Sequence, residues 1–284
     1  MRVPKINNQE VSKAVKTALQ ELRNSKTLYS QAEDLLLEKL GLKDYKPMEE
    51  LSYIVNLSDI KSAHRTDAEY FQPKYERLVG KITNKTSKSS AVAPLSELVS
   101  IRRGDFISPD SYVEKAGRAY IRIKELPMKG DINFDDITFI DDNLSGEKLG
   151  GLLEGDFVFA GIGATLGKTA RIPKELEGSF YSNNTARFRL KKKYRHEIDT
   201  HYLQVVLQSV VCQMQFEQRQ APTAQAKIAD EELKTVLIPV LPKHTQEQIA
   251  YFIHRSHEAH KKAKELLDKA KREVEESIER NQVK

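Results

Sequence analysis

The sequence predicts an α+β chain. One globular domain, built on a twisted and mostly antiparallel sheet, is flanked by two long helices that pair as an antiparallel coiled coil. Three observations lead there. Apolar and small residues recur at helical spacing over long stretches at both ends. Short β-branched and aromatic runs, separated by turn residues, fill the middle. The two end helices enclose a single region of that kind, so a short return sets them side by side.

In the first helix, Asn7 is placed as an N-cap with Glu10 as its capping-box partner, and Ile6 and Val11 form a hydrophobic staple. From residue 8 to 40 the stripe runs Val11, Val15, Ala18, Leu22, Tyr29, Ala32, Leu35, Leu36. Gly41 followed by Leu42 reads as a Schellman stop. The rod is about 50 Å long at ~1.5 Å per residue, and it cannot bury its stripe alone. Leu22, Tyr29 and Leu36 are its candidate contact residues.

Residues 43–90 are mixed. An apolar element is expected over 51–60, an extended strip over 65–75, and a helical turn or two over 74–82. Arg65 has two readings, a DNA contact or a paired role joining helix to domain. The polar run 84–90 (NKTSKSS) reads as a linker. Strands are expected near 98–101, 119–123, 137–140, 157–160 and 186–190, a helix over 201–215, and a final apolar run from Val236 to Pro239. Residues 1–42 thus form the first helix, 43–243 the domain with linker-like 83–91, and 244–284 the second helix. That last helix opens on a capping box from Thr245 to Gln248. Its candidate contact residues are Ile249, Phe252, Ala263, Leu266, Leu267 and Val274. Its three histidines, His254, His257 and His260, lack an accompanying carboxylate or cysteine in a ligand pattern, which favours a solvated or seam role over metal.

Composition excludes several classes. The one cysteine, Cys212, permits no intrachain disulfide, suits a reducing cytoplasm and reads as a small core residue. No apolar run approaches a membrane span, and the N-terminal residues lack a signal-peptide core. The net charge of +5 points mildly to an anionic partner. Its distribution says more: acids crowd residues 131–156, and bases crowd 160–195, including the triplet Lys191-Lys192-Lys193. One cationic surface could therefore form on a domain that is neutral overall.

The stretch 155–173, GDFVFAGIGATLGKTARIP, reads as strand, tight glycine turn, strand, with Lys168 as a cationic tip. It fails as a phosphate-cradling P-loop because Ile162 stands where the first glycine belongs. It fails as a dinucleotide fingerprint because Leu166 replaces the last glycine. No catalytic constellation and no zinc pattern stands elsewhere, and no cofactor is expected. What the chain does carry is DNA-reading chemistry: Arg and Lys for phosphates and guanine, Asn and Gln for adenine, Thr and Ser for either. The candidates are Arg102, Arg103, Arg122, Lys124, Lys168, Asn183, Asn184, Arg187, Arg219, Gln220, Thr223, Gln225 and Lys227, with Arg102, Arg103 and the 219–227 loop foremost.

The same glycine stretch resembles a segment of the target-recognition domains in type I restriction-modification specificity subunits. RTDAEYFQPKY at 65–75, QAKIADEELKTVLIPVLP at 225–242 and Gln246-x-Gln248-Ile249 match that family's pattern in order. The resemblance implies a non-catalytic subunit that reads double-stranded DNA through loops around its sheet. Its helices would dock a methyltransferase subunit, with room for a restriction subunit to join. The family's usual subunit holds two recognition domains and this sequence one. A half-length form working as a homodimer, or beside another half-length subunit, is therefore expected. Two rivals stand beside it: a coiled-coil adaptor whose central domain binds protein, and a nucleotide-binding enzyme.

Overall fold

The computed structural model describes residues 8–84, 91–114, 117–134, 137–141, 144, 151–223 and 225–282. The chain begins with α1 (Asn8–Lys39), α2 (Leu57–Ala63), a 3-10 turn (Ala68–Phe71) and α3 (Pro73–Asn84). Then come β1 (Ala91–Pro94), the single turn α4 (Leu95–Leu98), β2 (Val99–Arg103), β3 (Tyr112–Val113), β4 (Arg118–Ile121) and β5 (Thr138–Ile140). Strands β6 (Phe157–Ala160), β7 (Thr169–Arg171), β8 (Phe180–Tyr181) and β9 (Thr185–Leu190) follow. The chain closes with α5 (Thr200–Gln208), α6 (Val210–Gln218), α7 (Asp230–Lys234), β10 (Leu237–Val240) and α8 (Lys243–Gln282).

The expected α+β architecture is present, with the strands divided among three sheets. Strand order is β2-β9-β6-β7 in one four-stranded sheet, β3-β5-β4-β8 in another, and β1 pairs with β10. Every pairing is antiparallel except β4 with β8. Strand β6 is buried at every position, so side chains alternating across the pleat enter two different cores. Phe157 and Phe159 join the larger core with Phe188, Tyr202, Phe216 and Leu36. Val158 and Ala160 join the smaller one with Leu126 and Ile172, and with Ile121 and Tyr181 from the second sheet.

α1 and α8 pair antiparallel. Ser25 meets Ser256 hydroxyl to hydroxyl at 3.0 Å, and Glu21 meets Lys262 at 2.5 Å. Their seam is made of small residues seven apart: Ala18, Ser25 and Ala32 on α1, and Ser256, Ala263 and Ala270 continuing from Ile249 on α8, all buried. Small residues let the backbones approach closely, so the seam excludes water without long side chains. Large apolar groups fall outside it: Leu22 and Leu266 are half-buried, and Leu19 and Leu267 are exposed. Leu267 is therefore not part of the α1–α8 seam. Tyr29, Leu36, Ile249 and Ile253 pack instead into the larger core, with Phe252 against its edge.

Several local expectations change. α1 ends as expected, with Gly41 at φ 66° and Leu42 N–H donating to the Leu37 carbonyl at 2.7 Å. Its N-cap and staple at Asn7 and Ile6 lie outside the described residues, as does most of the 84–90 linker. The helix expected over 201–215 is two helices, because Ser209 is extended (φ −82°, ψ 166°) and turns its hydroxyl back to the Val206 carbonyl at 2.8 Å. The strip over 65–75 is a 3-10 turn leading into α3 rather than extended chain. Arg65 takes the paired role: it grips both carboxylate oxygens of Asp67, donates to the Gln220 carbonyl at 2.6 Å and covers the Tyr70 ring. The capping box at Thr245 is absent. α8 starts two residues earlier, with the Pro242 carbonyl accepting from the Thr245 and Gln246 amides at 2.9 and 3.1 Å. Buried Gln246 ties that end to the domain through Leu241, Glu197 and Asp199.

Beyond that apolar packing, the rods meet the domain through polar groups. Gln208 accepts from the Tyr29 hydroxyl at 2.5 Å and the Gly130 amide at 3.0 Å, and donates to the Thr169 and Gly130 carbonyls. Lys129 reaches Glu33 of α1, and Asp131 reaches His257 of α8 at 2.6 Å. The His257 ring also lies 5.5 Å from that of His201, and His254 lies 3.9 Å from it. His257 and His254 thus face the domain and His260 is exposed to solvent; among the described residues no group of three or more ligand-type side chains could hold a metal.

Two predictions follow from this packing. Replacing Ala263→Leu overfills the seam and should lower stability by about 1–3 kcal/mol, while Leu267→Ser should change it by less than about 0.5 kcal/mol; urea midpoints that reverse this order would refute the seam. Acid stability rests on Asp199 and His201. Burial opposes charge on Asp199, but the His201 ring and the His201 and Tyr202 amides hold its carboxyl at about 2. Its stabilisation is present above the ordinary value of 3.8 and is lost as pH falls through 2. Burial holds His201 below its ordinary value, so protonation also opposes the fold as pH falls. Asp199→Asn should flatten the drop in urea midpoint between about pH 4 and pH 2.

Candidate nucleic-acid interface

Because β9 runs antiparallel to both β2 and β6, the C-terminal ends of β2 and β6 and the start of β9 emerge at one end of the sheet. Three loops leave there, at residues 104–107, 161–166 and 182–184, and a fourth, 221–228, is stitched onto them. The stitches are backbone bonds: Gly104 N–H to Thr185 O at 3.1 Å, Asp105 N–H to Tyr181 O at 3.1 Å, Gly161 N–H to Asn184 O at 3.2 Å, and Gly163 N–H to Ala226 O at 2.8 Å. Two glycines permit this closeness. A β-carbon at Gly104 would collide with the Tyr181 carbonyl, and one at Gly161 with the Arg103 guanidinium.

This rim gathers part of the predicted set. Asn183 and Asn184 are exposed at the turn into β9, where the Thr185 amide and hydroxyl both donate to the Ser182 carbonyl. Arg122, Lys124, Asn183 and Asn184 line one hollow of about 440 Å³, together with Phe106 and Tyr112. Thr223, Gln225 and Lys227 are exposed on the stitched loop. Arg122 and Lys124 also stand 3.5 and 3.7 Å from fully buried Glu125. Burial raises that carboxyl despite the Arg122 amide, which donates to it at 2.8 Å.

Other candidates serve the fold. Arg103 donates to Asp230 and to the Ile228 carbonyl, both at 2.6 Å, and so pins the 228–230 segment to β2. Arg219 is held by the Thr235 hydroxyl and the Gln215 carbonyl, and burial pushes its guanidinium below the usual range. Gln220 is half-buried, and its carbonyl receives Arg65. Lys168 is at the root of the β6–β7 hairpin rather than its tip, its carbonyl accepting from Ala160 at 2.8 Å. Arg102 and Arg187 lie opposite each other across β2 and β9, Arg102 3.7 Å from Asp105 and Arg187 half-buried. Charge segregation along the sequence also folds inward. Arg189 grips Asp156 at 2.7 and 2.8 Å, and Arg171 reaches Glu154. The lysine triplet lies at the opposite end of the sheet, where Lys191 donates to the Ser96 carbonyl and Lys193 approaches Glu97.

The glycine loop is no phosphate cradle. Most of its amides bond within the protein: Gly161 to Asn184, Gly163 to Ala226, Leu166 to Gly163, Gly167 to Ala160 and Lys168 to Thr165. Cys212 is fully buried, and burial pushes its thiol up, which removes it as a nucleophile. Among the described residues no helix is long and apolar enough to cross a membrane. The sequence reading missed Phe106 and Tyr112. The available signal was Phe106 beside Ile107 directly after a Gly-Asp turn, where chain alternation lets only one of the two enter the core.

Residues 88–271 match the family model described as the type I restriction modification DNA specificity domain. No curated protein matches the chain. Three solved structures are similar at low identity. The S subunit of a type I restriction-modification system from M. genitalium is 10% identical, with 96% of this chain and 60% of that one covered and a TM-score of 0.49. A structure from work on complex assembly and conformational transition of the type I R-M system is 11% identical, with 96% and 58% covered and a TM-score of 0.45. The HsdS subunit from Thermoanaerobacter tengcongensis is 11% identical, with 94% and 54% covered and a TM-score of 0.44. The chain thus spans 60% or less of the length of each of these structures. Since the family model covers well over half of its residues, the chain belongs to the type I restriction modification DNA specificity family.

Proposed function

We propose that this chain reads one half-site of double-stranded DNA for a type I restriction-modification complex, with the rim as its reading surface and the paired rods as docking surface for a methyltransferase subunit. The observation that carries the reading is the gathering of Lys124, Asn183, Asn184, Thr223, Gln225 and Lys227 at one sheet end, in a member of a DNA specificity family. Lysines there neutralise phosphates, while amides and hydroxyls suit base edges. The chain itself is non-catalytic on this reading.

The adaptor reading draws on a different surface. Met48, Leu51, Ile54 and Leu57 are exposed in the segment before the 3-10 turn, and such a strip suits a protein partner. Sequence-specific protection of DNA by the chain would decide against an adaptor role for the central domain.

A second copy is the proposed completion of the rods. Leu19, Leu267 and Ile278 stay 48%, 37% and 42% exposed although α1 and α8 already cover each other. A closed two-fold pairing, head to tail, would cover them and set two recognition domains apart. The target would then be a palindrome of two half-sites with an unspecified spacer.

Substituting Lys124→Gln and Lys227→Gln should weaken DNA binding and shallow the log K against log salt slope by about 0.9 for each lost phosphate contact. Arg219→Gln should instead lower thermal stability with little change in that slope; the opposite pattern would place the DNA elsewhere. Light scattering should give twice 32.4 kDa, and Leu267→Asp should return the value to that of one chain without unfolding it. A single-chain mass at micromolar concentration would point to a different half-length partner. Methylation of DNA by the chain alone with S-adenosylmethionine would overturn the non-catalytic role.

A further inference from the structure

Phe106 is 74% exposed, yet the loop that presents it is held on both sides. Upstream, the Gly104 and Asp105 amides bond to Thr185 and Tyr181, and the Tyr120 hydroxyl donates to the Asp105 carbonyl at 2.8 Å. Downstream, Ile107 is buried with Tyr120, Ile140 and Phe180. Ser108 then caps a short 3-10 turn that begins at Pro109. With Ile107 committed to the core, the adjacent ring is forced outward and kept there. A rigidly presented aromatic ring loses little conformational freedom on binding.

Its surroundings identify what it meets. Beside it, the Arg122 guanidinium lies 5.4 Å over the Tyr112 ring, and Lys124, Asn183 and Asn184 line the same hollow of about 440 Å³. A single exposed ring among cations and amides does not make the broad apolar patch that a protein partner needs. It does match the chemistry of DNA: charge for the backbone, amides for base edges, and a flat apolar group for the face of a base. Of the other exposed rings, Tyr251 on α8 meets Arg255 of its own helix and Phe134 meets Lys264, and neither lines this hollow.

We propose that Phe106 is a stacking wedge that enters a base-pair step of the DNA held on this rim, so that the ease of unstacking that step contributes to recognition. The proposal rests on the DNA-reading role of the rim. Insertion of an apolar side chain between base pairs kinks the duplex, and flexible pyrimidine–purine steps yield most easily. Specificity would then include a position that no hydrogen bond reads.

The chain contains no tryptophan, so Phe106→Trp introduces a single indole at the site, excited at wavelengths that tyrosine does not absorb. The probe is a fluorescein-labelled duplex recovered by selection from a random-sequence pool, with binding followed by anisotropy. On binding, Phe106→Trp should lose most of its indole emission, whereas Tyr251→Trp on α8 should keep its own. Phe106→Ala, at an exposed position, should weaken binding roughly tenfold. If the duplex binds and the emission of Phe106→Trp is unchanged, the ring stays in water; the wedge fails and the DNA-reading role stands. If Phe106→Trp itself does not bind, undiminished affinity in Phe106→Ala refutes the wedge and a tenfold loss supports it. If the unaltered chain binds no duplex, the reading role falls, and the wedge with it.

Discussion

Strand β6 is buried at all four positions, between β9 and β7, with Phe157 and Phe159 facing the larger core and Val158 and Ala160 facing the smaller one. A central strand covered on both faces leaves no flat surface there for a ligand. What remains open is its end, where strands stop and loops begin. The loops at the β2, β6 and β9 termini are therefore where function can be placed, and the glycines at 104 and 161 let those loops close on one another. The cores make the rim rigid, and rigidity is what a reading surface requires, since a loop already in place loses little freedom on meeting DNA.

The rods obey a different economy of contacts. Their seam of alanine and serine brings two backbones close, and it leaves larger apolar side chains on the outside. Their joint to the domain adds directed polar contacts to the apolar packing of Leu36, Ile249 and Ile253: Tyr29, Gln208, Lys129, Glu33, Asp131 and His257 fix it. Hydrogen bonds specify an angle in a way that apolar contact does not, and a buried partner left unsatisfied is costly. The orientation of rod to domain is thus a defined quantity, which is what a spacer between two half-sites needs on the proposed reading.

Much of this fold was legible in the sequence, for physical reasons. The helical stripe and the Gly41-Leu42 stop are local, and so is the glycine turn between β6 and β7; local signals need only neighbouring residues. The arginines were harder to read. Arg103 looks like a phosphate ligand until Asp230, far along the chain, is folded against it, and Arg219 until Thr235 meets it. An arginine's role is set by its partner, and the partner is supplied by tertiary structure. The break at Ser209 was hidden because apolar residues run on across it with no Gly or Pro, and only the serine's back-bonded hydroxyl marks the bend. Phe106 escaped notice because aromatic residues default to the core, and only the burial of Ile107 beside it shows which of the two was excluded.

On the proposed reading, DNA lies across the sheet end carrying Asn183 and Asn184. Cys212 is fully buried, so a single cysteine introduced at the surface can be labelled alone with an iron chelate that cleaves nearby DNA. Carried on Asn184→Cys, the chelate should cut a bound target duplex at a few adjacent positions. Carried on Lys192→Cys, at the opposite end of the same sheet, it should leave the duplex intact. Cleavage from Lys192→Cys and none from Asn184→Cys would contradict the account and move the DNA to the lysine-rich end.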